Sequence, residues 1–266
     1  MKKLFSFMLT GVLLAGILAA CGSSENSSEG TGEQAGDATE TKVLTMGTSA
    51  DYPPFEFVDT TKGDEIIGFD IDLANAIADE LGYEIEIKDM DFNGLIPAIQ
   101  ADQVDFVLAG MTPTAERKES VDFSDIYYTA NHMIVSKKDS GIETVEDLEG
   151  KTVGVQLTSI QEEKANEFAE EMDIKIETRN RISELVQELK TGRIDAAIIE
   201  DIVAEGYFDN NPDLGGFTLP DEEEAGSAIA FPKDSELTEE FNTVLNGLLE
   251  SGKVDELILK WFGGEE

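Results

Sequence analysis

From Val43 onward, short apolar runs alternate with stretches of helical periodicity. The run "VLTMGTS" reads as a strand. In "DIDLANAIADELG" the apolar positions Ile71, Ala74, Ile77, Ala78 and Leu81 recur on one helix face, and Gly82 ends the pattern. "YEIEIKDM" alternates apolar and charged residues, the period of a strand. "NGLIPAIQADQ" then predicts a helix and "VDFVLAG" a buried strand. The second half repeats the scheme, with strands at "KTVGVQ", "IKIET" and "IDAAII" and helices at "IQEEKANEFAEEM", "SELVQELKTG" and "VAEGYF". A strand at "SAIAFPK" and two helical stretches, "LTEEFNTVLNGLLESG" and "VDELILKWF", close the chain. Strands alternating with helices predict an α/β fold built on mostly parallel sheets.

One helix–turn–strand unit occurs twice. "GLIPAIQADQVDFVLAG" and "ELVQELKTGRIDAAIIE" align without a gap, pairing Leu95 with Leu185, Ile99 with Leu189, Val104 with Ile194 and Asp105 with Asp195. This predicts two similar lobes, although αβ units share a general likeness. In open α/β sheets ligands gather at the carboxyl ends of strands. The repeated strands end near Gly110 and near Glu200, so facing lobes would bring these ends to one cleft. Thr112 and Arg117 follow the first strand, and Glu200 and Asp201 close the second. One lobe offers a cation and the other an anion, the pair that clamps a zwitterion.

A carboxylate is held best by a guanidinium with hydroxyl or backbone N–H donors beside it. Arg117, Thr112 and the N–H groups around Gly110 form such a set; the alternative for Arg117 is one more solvated charge. Thr114 is placed to cap the helix "AERKESV". In "GVQLTSIQEE", Thr158 and Ser159 precede a helix whose N-terminal N–H groups attract anions. Glu200 is the candidate partner for an α-ammonium. Pro53-Pro54 stiffens the loop "TSADYPPFEF"; Phe55 and Phe57 read as core, and Tyr52 as a ring that stacks on a ligand. Phe92 is the opposite jaw or a helix staple.

The formal charge of −38 changes the list of partners. Nucleic acid is excluded as a natural partner, because its binding starts with Lys and Arg on phosphates. The acidity otherwise reads as solubility. A single Cys, Cys21, and a single His, His132, exclude an intrachain disulfide, a Cys/His zinc site and a Cys–His nucleophile; no metal and no cofactor is expected. "MKKLFSFMLTGVLLAGILAAC" has a basic start, an apolar run and small residues ending at Cys21, the form of a secretory signal. "LAAC" resembles the lipobox of bacterial lipoproteins, in which the cysteine is lipidated. Residues 22–42, rich in Gly, Ser and acid, read as a disordered tether.

The segments "DYPPFEF", "IIGFDIDLANAIADELG", "MDFNGLIPAIQADQVDFVLAGMTPTAERKESVDFSDIYY", "EDLEGKTVGVQLTSIQEEKA" and "LKTGRIDAAIIED" together resemble the family 3 bacterial extracellular solute-binding proteins. These are the substrate-binding lipoproteins of polar amino acid ABC transporters. The resemblance runs from about Val43 to Phe262. It implies a two-lobed periplasmic-binding-protein type II fold, each lobe a mostly parallel sheet with flanking helices, joined by two hinge strands. Residues 1–21 would be the lipoprotein signal, 43–130 with 227–266 the first lobe, and 131–226 the second lobe with hinge segments. Arg117 resembles the family's carboxylate-binding arginine, with Gly110 and Thr112 as helpers. Ser159 and the backbone of Ile160 resemble the second-lobe donors, and Tyr52 and Phe92 the sandwich around the ligand side chain.

Three positions depart from the family pattern. Glu200 stands where Asp is common, with Asp201 as a fallback. Ser49 stands where binders of basic side chains carry an acid, which weakens the case for arginine or lysine unless Asp51 or Glu56 compensates. Thr158 stands where a glycine is frequent. The resemblance implies a monomer without catalysis that hands an amino acid to permease and ATPase subunits. Its place would be the outer face of the cell membrane, on a palmitate-bearing Cys21: a Gram-positive surface, or the periplasm of a Gram-negative cell. The alternatives are a lyase or dehydratase on the same scaffold, with Glu200 as general acid or base, and a ligand-sensing domain.

Overall fold

The structure, a computed structural model, describes residues 42–61, 63–219 and 225–263. The signal, the lipidation site at Cys21 and nearly all of the tether expected from the sequence lie outside the described residues. The first lobe starts with β1 (Lys42–Thr48), a small hairpin sheet of β2 (Asp51–Tyr52), β3 (Glu56–Asp59) and β4 (Glu65–Ile67), and helix α1 (Phe69–Leu81). It continues through β5 (Tyr83–Asp89), α2 (Leu95–Gln100), β6 (Phe106–Val107), α3 (Ala115–Ser120) and β7 (Val121–Phe123). After β8 (Tyr128–Ala130) the chain enters the second lobe: β9 (His132–Lys137), β10 (Thr152–Gln156), α4 (Ile160–Glu171), β11 (Lys175–Arg179), α5 (Ile182–Thr191), β12 (Ala196–Glu200), α6 (Asp201–Phe208) and β13 (Leu214–Thr218). It returns by β14 (Ala225–Ser227) and ends with β15 (Ala230–Pro232), α7 (Glu236–Ser251) and α8 (Lys253–Phe262).

The two main sheets share one plan. Their strand orders are β5-β1-β6-β15-β7 and β11-β10-β12-β9-β13. In each, four strands run one way and the strand in the fourth place runs against them. The reversed strands, β15 and β9, are the first ones laid down after the chain crosses between sheets. The crossing segments β8 and β14 pair antiparallel, Tyr128 with Ser227 and Ala130 with Ala225, as a two-stranded ribbon.

The internal repeat has a structural cause. Asp105 accepts the Thr45 N–H at 2.7 Å and donates its own N–H to the Thr45 carbonyl at 2.8 Å. Asp195 makes the same two bonds with Thr152, both at 2.8 Å. The matched aspartates register the third strand against its neighbour in each sheet, and the matched apolar residues of α2 and α5 are buried behind them. In α1, Ile71, Ala74, Ile77 and Ala78 form the buried face, and Gly82 closes the helix at φ 73°.

The lobes meet along one rim of the cleft. Arg181, just before α5, donates to both Asp89 oxygens at 2.9 and 3.2 Å and to Asp91 at 2.8 Å. Asn180 bonds Asp91 at 2.9 Å, and Ser183 N–H donates to the Asp51 carboxylate at 2.9 Å. The Tyr207 hydroxyl donates to the Asp51 carbonyl at 2.7 Å. The molecule is therefore in a closed form.

Candidate binding cleft

The carboxyl ends of four strands converge between the lobes. β1 runs out toward Ser49, β6 toward Gly110, β10 ends at Gln156 and β12 at Glu200. They line one narrow cleft. Tyr52, Phe92, Gly110, Thr112, Arg117, Ser159, Ile160 and Glu200 all line it, so the eight residues singled out from the sequence are brought together. Ser49, Glu56, Ala109, Gln156 and Gln161 complete the wall.

Arg117 is placed by the start of α3, where the Thr114 hydroxyl accepts the Arg117 N–H at 3.2 Å and caps the helix. Its guanidinium donates to the Thr112 carbonyl and, across the cleft, to the Thr158 carbonyl, each at 2.8 Å. The Phe92 ring lies 5.3 Å from the guanidinium carbon, within cation–π range. Burial pushes the proton affinity of Arg117 down. Among the described residues no carboxylate forms an ion pair with it, so this half-buried cation is held by carbonyl oxygens and the Phe92 ring. Beside it begins α4, capped by Ser159, whose hydroxyl accepts the Glu162 N–H at 3.2 Å and donates to the Gln156 carbonyl at 2.7 Å. The Ser159 hydroxyl proton is thus committed, and the anion-attracting groups of the second lobe are the first-turn N–H groups at Ile160 and Gln161.

Gly110 contributes differently from the expectation that its N–H faces an anion. That N–H donates to the Asp70 carboxylate at 3.0 Å. Gly110 adopts φ 53°, and a Cβ there would meet the Tyr52 ring at 2.9 Å. Glycine is required so that Tyr52 can lie against the strand end.

The opposite wall is acidic. Glu56, Asp70 and Glu200 are each at most 1 % exposed. Both Glu56 oxygens, one oxygen of Asp70 and one of Glu200 have no hydrogen-bond partner among the described residues. Burial, with Asp201 and Asp70 nearby and the Tyr52 hydroxyl opposing, pushes Glu200 up to about 8. Burial also lifts Asp70 to about 6, against the hydrogen bonds from Gly110 and Tyr127, and holds Glu56 well above the usual carboxylate range. Asp201 is spent elsewhere: it caps the Ile202 N–H at 2.8 Å and takes the Asn131 side chain at 3.2 Å.

Over residues 44–264 the sequence matches the bacterial extracellular solute-binding proteins, family 3. The chain belongs to that family. It is 59% identical, over the full length of both chains, to the arginine-binding extracellular protein ArtP of Bacillus subtilis. The crystal structure of the substrate binding protein of an amino acid ABC transporter superposes with a TM-score of 0.79 at 48% identity, covering 84% of this chain and all of the other. A substrate-binding protein of Streptococcus pneumoniae, AbpA, bound to L-arginine, superposes at 0.78 with 36% identity, over 83% of this chain and 94% of the other.

Within this solute-binding protein the departures from the family pattern acquire places. Thr158 takes the left-handed conformation, φ 62°, that a glycine adopts without strain. Ser49 lines the cleft as a neutral residue, and of the two acids named beside it Glu56 lines the same cleft while Asp51 does not. Sequence reasoning left Glu56 unplaced because "PFEF" alternates like a strand with its phenylalanines inward. In the structure Glu56 is fully buried, while Phe57 is half-exposed against Trp261. Gln156 was missed although the strand-end rule that found Glu200 points to it equally.

Proposed function

We propose that this protein binds a basic amino acid, arginine foremost, and presents it to the permease and ATPase subunits of an ABC importer. The observation that carries the reading is the charge count of the closed cleft. One half-buried guanidinium, Arg117, faces buried carboxyls at Glu56 and Glu200, with Asp70 behind Glu56. A neutral amino acid supplies a carboxylate for Arg117 and an ammonium for Glu200, and leaves Glu56 without a cation. Arginine supplies the second cation as well. Burying an unpaired carboxylate costs several kcal/mol, on the order of what separates micromolar from nanomolar binding. The names of ArtP and of the arginine-bound AbpA structure support the same ligand.

The ligand carboxylate would rest on Arg117 and the first turn of α4, its ammonium on Glu200, and its side chain between Tyr52 and Phe92 toward Glu56. Both charged groups with a shifted proton affinity opposite each other, Arg117 and Glu200, are then occupied in holding the zwitterion. The relatives named above are binding proteins, which favours a binder over an enzyme on this scaffold. Calorimetric titration with arginine, lysine, citrulline and glutamine tests this. Arginine is expected to bind at least about a hundredfold more tightly than citrulline, its neutral counterpart; equal affinities for the two would sink the basic-ligand reading.

The same reading puts the protein outside the cell membrane, as a monomer held by a lipid on Cys21, with residues 22–41 as its tether, one residue shorter than expected because Lys42 already belongs to β1. Cys21→Ser is expected to move the protein from the membrane fraction to the medium or periplasm. Retention of the variant in the membrane fraction would argue for an uncleaved anchor.

A further inference from the structure

Glu56 and Asp70 form a pair that zwitterion binding does not explain. Glu56 stands on β3 and Asp70 in the first turn of α1, and neither side chain has solvent contact. Asp70 Oδ2 is saturated by the Gly110 N–H at 3.0 Å and the Tyr127 hydroxyl at 2.9 Å. Its Oδ1 and both oxygens of Glu56 have no donor among the described residues. The Asp70 N–H donates to the carbonyl of Phe55, the residue before Glu56, at 2.9 Å, which brings two fully buried acids to neighbouring positions, and two bare carboxylates cannot hydrogen-bond each other. The other titratable groups facing them supply no cation: Asp51 from β2 and Glu200 from β12 are further acids, and Tyr52 and Tyr127 are neutral phenols. Arg181 is occupied by Asp89 and Asp91, and Arg117 lies on the other wall. A proton between the carboxyls supplies the missing donor, as in other buried carboxyl pairs.

We propose that Glu56 and Asp70 share one proton in the empty cleft, and that the cationic side chain of a basic ligand displaces it to solvent. Uptake of a basic amino acid into the cleft is thereby coupled to proton release, and Asp70 is the positioning residue that makes it so. The proton leaves as the ligand cation takes over the charge compensation of Glu56, so the wall carries the same net charge in both states. This rests on the basic-ligand reading above. A neutral amino acid would leave the shared proton in place. Glu200 can also release its proton to solvent when the α-ammonium arrives, but every amino acid provokes that release.

The test is calorimetric titration of the purified protein with arginine, near neutral pH, in buffers of different ionisation enthalpy. The wild type is expected to release about one proton more than Glu56→Gln. The wild-type Kd is expected to rise by up to about tenfold for each pH unit lowered through the range of the pair, a slope that Glu56→Gln lacks. Asp70→Asn keeps Glu56 for the ligand and removes its proton partner. It is expected to shift the midpoint of that pH dependence downward, with affinity above the midpoint held within a few-fold; it also serves where Glu56→Gln binds too weakly to titrate. Equal proton counts in wild type and Glu56→Gln overturn the proposal, as does an Asp70→Asn loss of affinity that is uniform across pH. If the wild type binds a neutral amino acid and gives no heat with arginine, the ligand reading itself fails, and the proton coupling with it.

Discussion

Among the described residues Arg117 is the one cation that lines the cleft, and its guanidinium bonds carbonyls of both lobes. A carboxylate arriving between Thr112 and Thr158 replaces neutral acceptors by an ionic one, which strengthens each bond. Arg117→Ala is expected to abolish binding of every amino acid, whatever its side chain, as read by the loss of any ligand-induced rise in melting temperature. Arg117→Lys keeps the charge without the two-pronged geometry and is expected to lose at least about tenfold in affinity. Wild-type affinity in Arg117→Ala would return this residue to the status of a solvated charge. Arg117 was legible because a cation after a strand end stands out in so acidic a chain. Glu56 was not, because one acid among 57 carries no signal until the hairpin turns it inward.

At the scale of elements, the αβ alternation and the repeat were legible because period and register are properties of short segments. The repeated aspartate makes that concrete. Asp105 is partly buried and Asp195 exposed, so the same two bonds differ in worth. Asp105→Ala is expected to cost about 1–3 kcal/mol in a denaturation experiment, and Asp195→Ala distinctly less. Equal costs would mean that the aspartates contribute through turn geometry and not through the buried N–H. What the elements concealed was direction. The run "VDFVLAG" reads as one strand, but only Phe106–Val107 are laddered. Leu108 to Gly110 leave the sheet for the cleft, where Gly110 is bonded to Asp70 on α1. That contact spans 40 residues, and no local pattern encodes it.

Across the whole molecule, Glu200 ties stability to pH. Its folded proton affinity, about 8, lies above that of an unfolded carboxyl. The folded protein therefore holds this proton more tightly than the unfolded chain. The associated stability is fully present below the unfolded value and is lost as pH rises toward 8. Without ligand, the melting temperature is expected to fall over that window, and Glu200→Gln to make the fall shallower by an amount on the order of a few kcal/mol. An unchanged slope in Glu200→Gln would assign the fall to the general repulsion of a chain at −38.

The rim holds a different lever. Arg181 joins the lobes through Asp89 and Asp91 without lining the ligand cavity. Arg181→Ala is expected to raise the Kd of all ligands by one common factor, on the order of tenfold for a partly buried charged network. A factor that differs between arginine and lysine would show that Arg181 reaches the side-chain pocket. With a common factor, the pocket decides who is admitted and the rim decides how long the guest stays. A cargo carrier needs those two settings apart: a rim adjusted for timely unloading leaves the choice of passenger untouched.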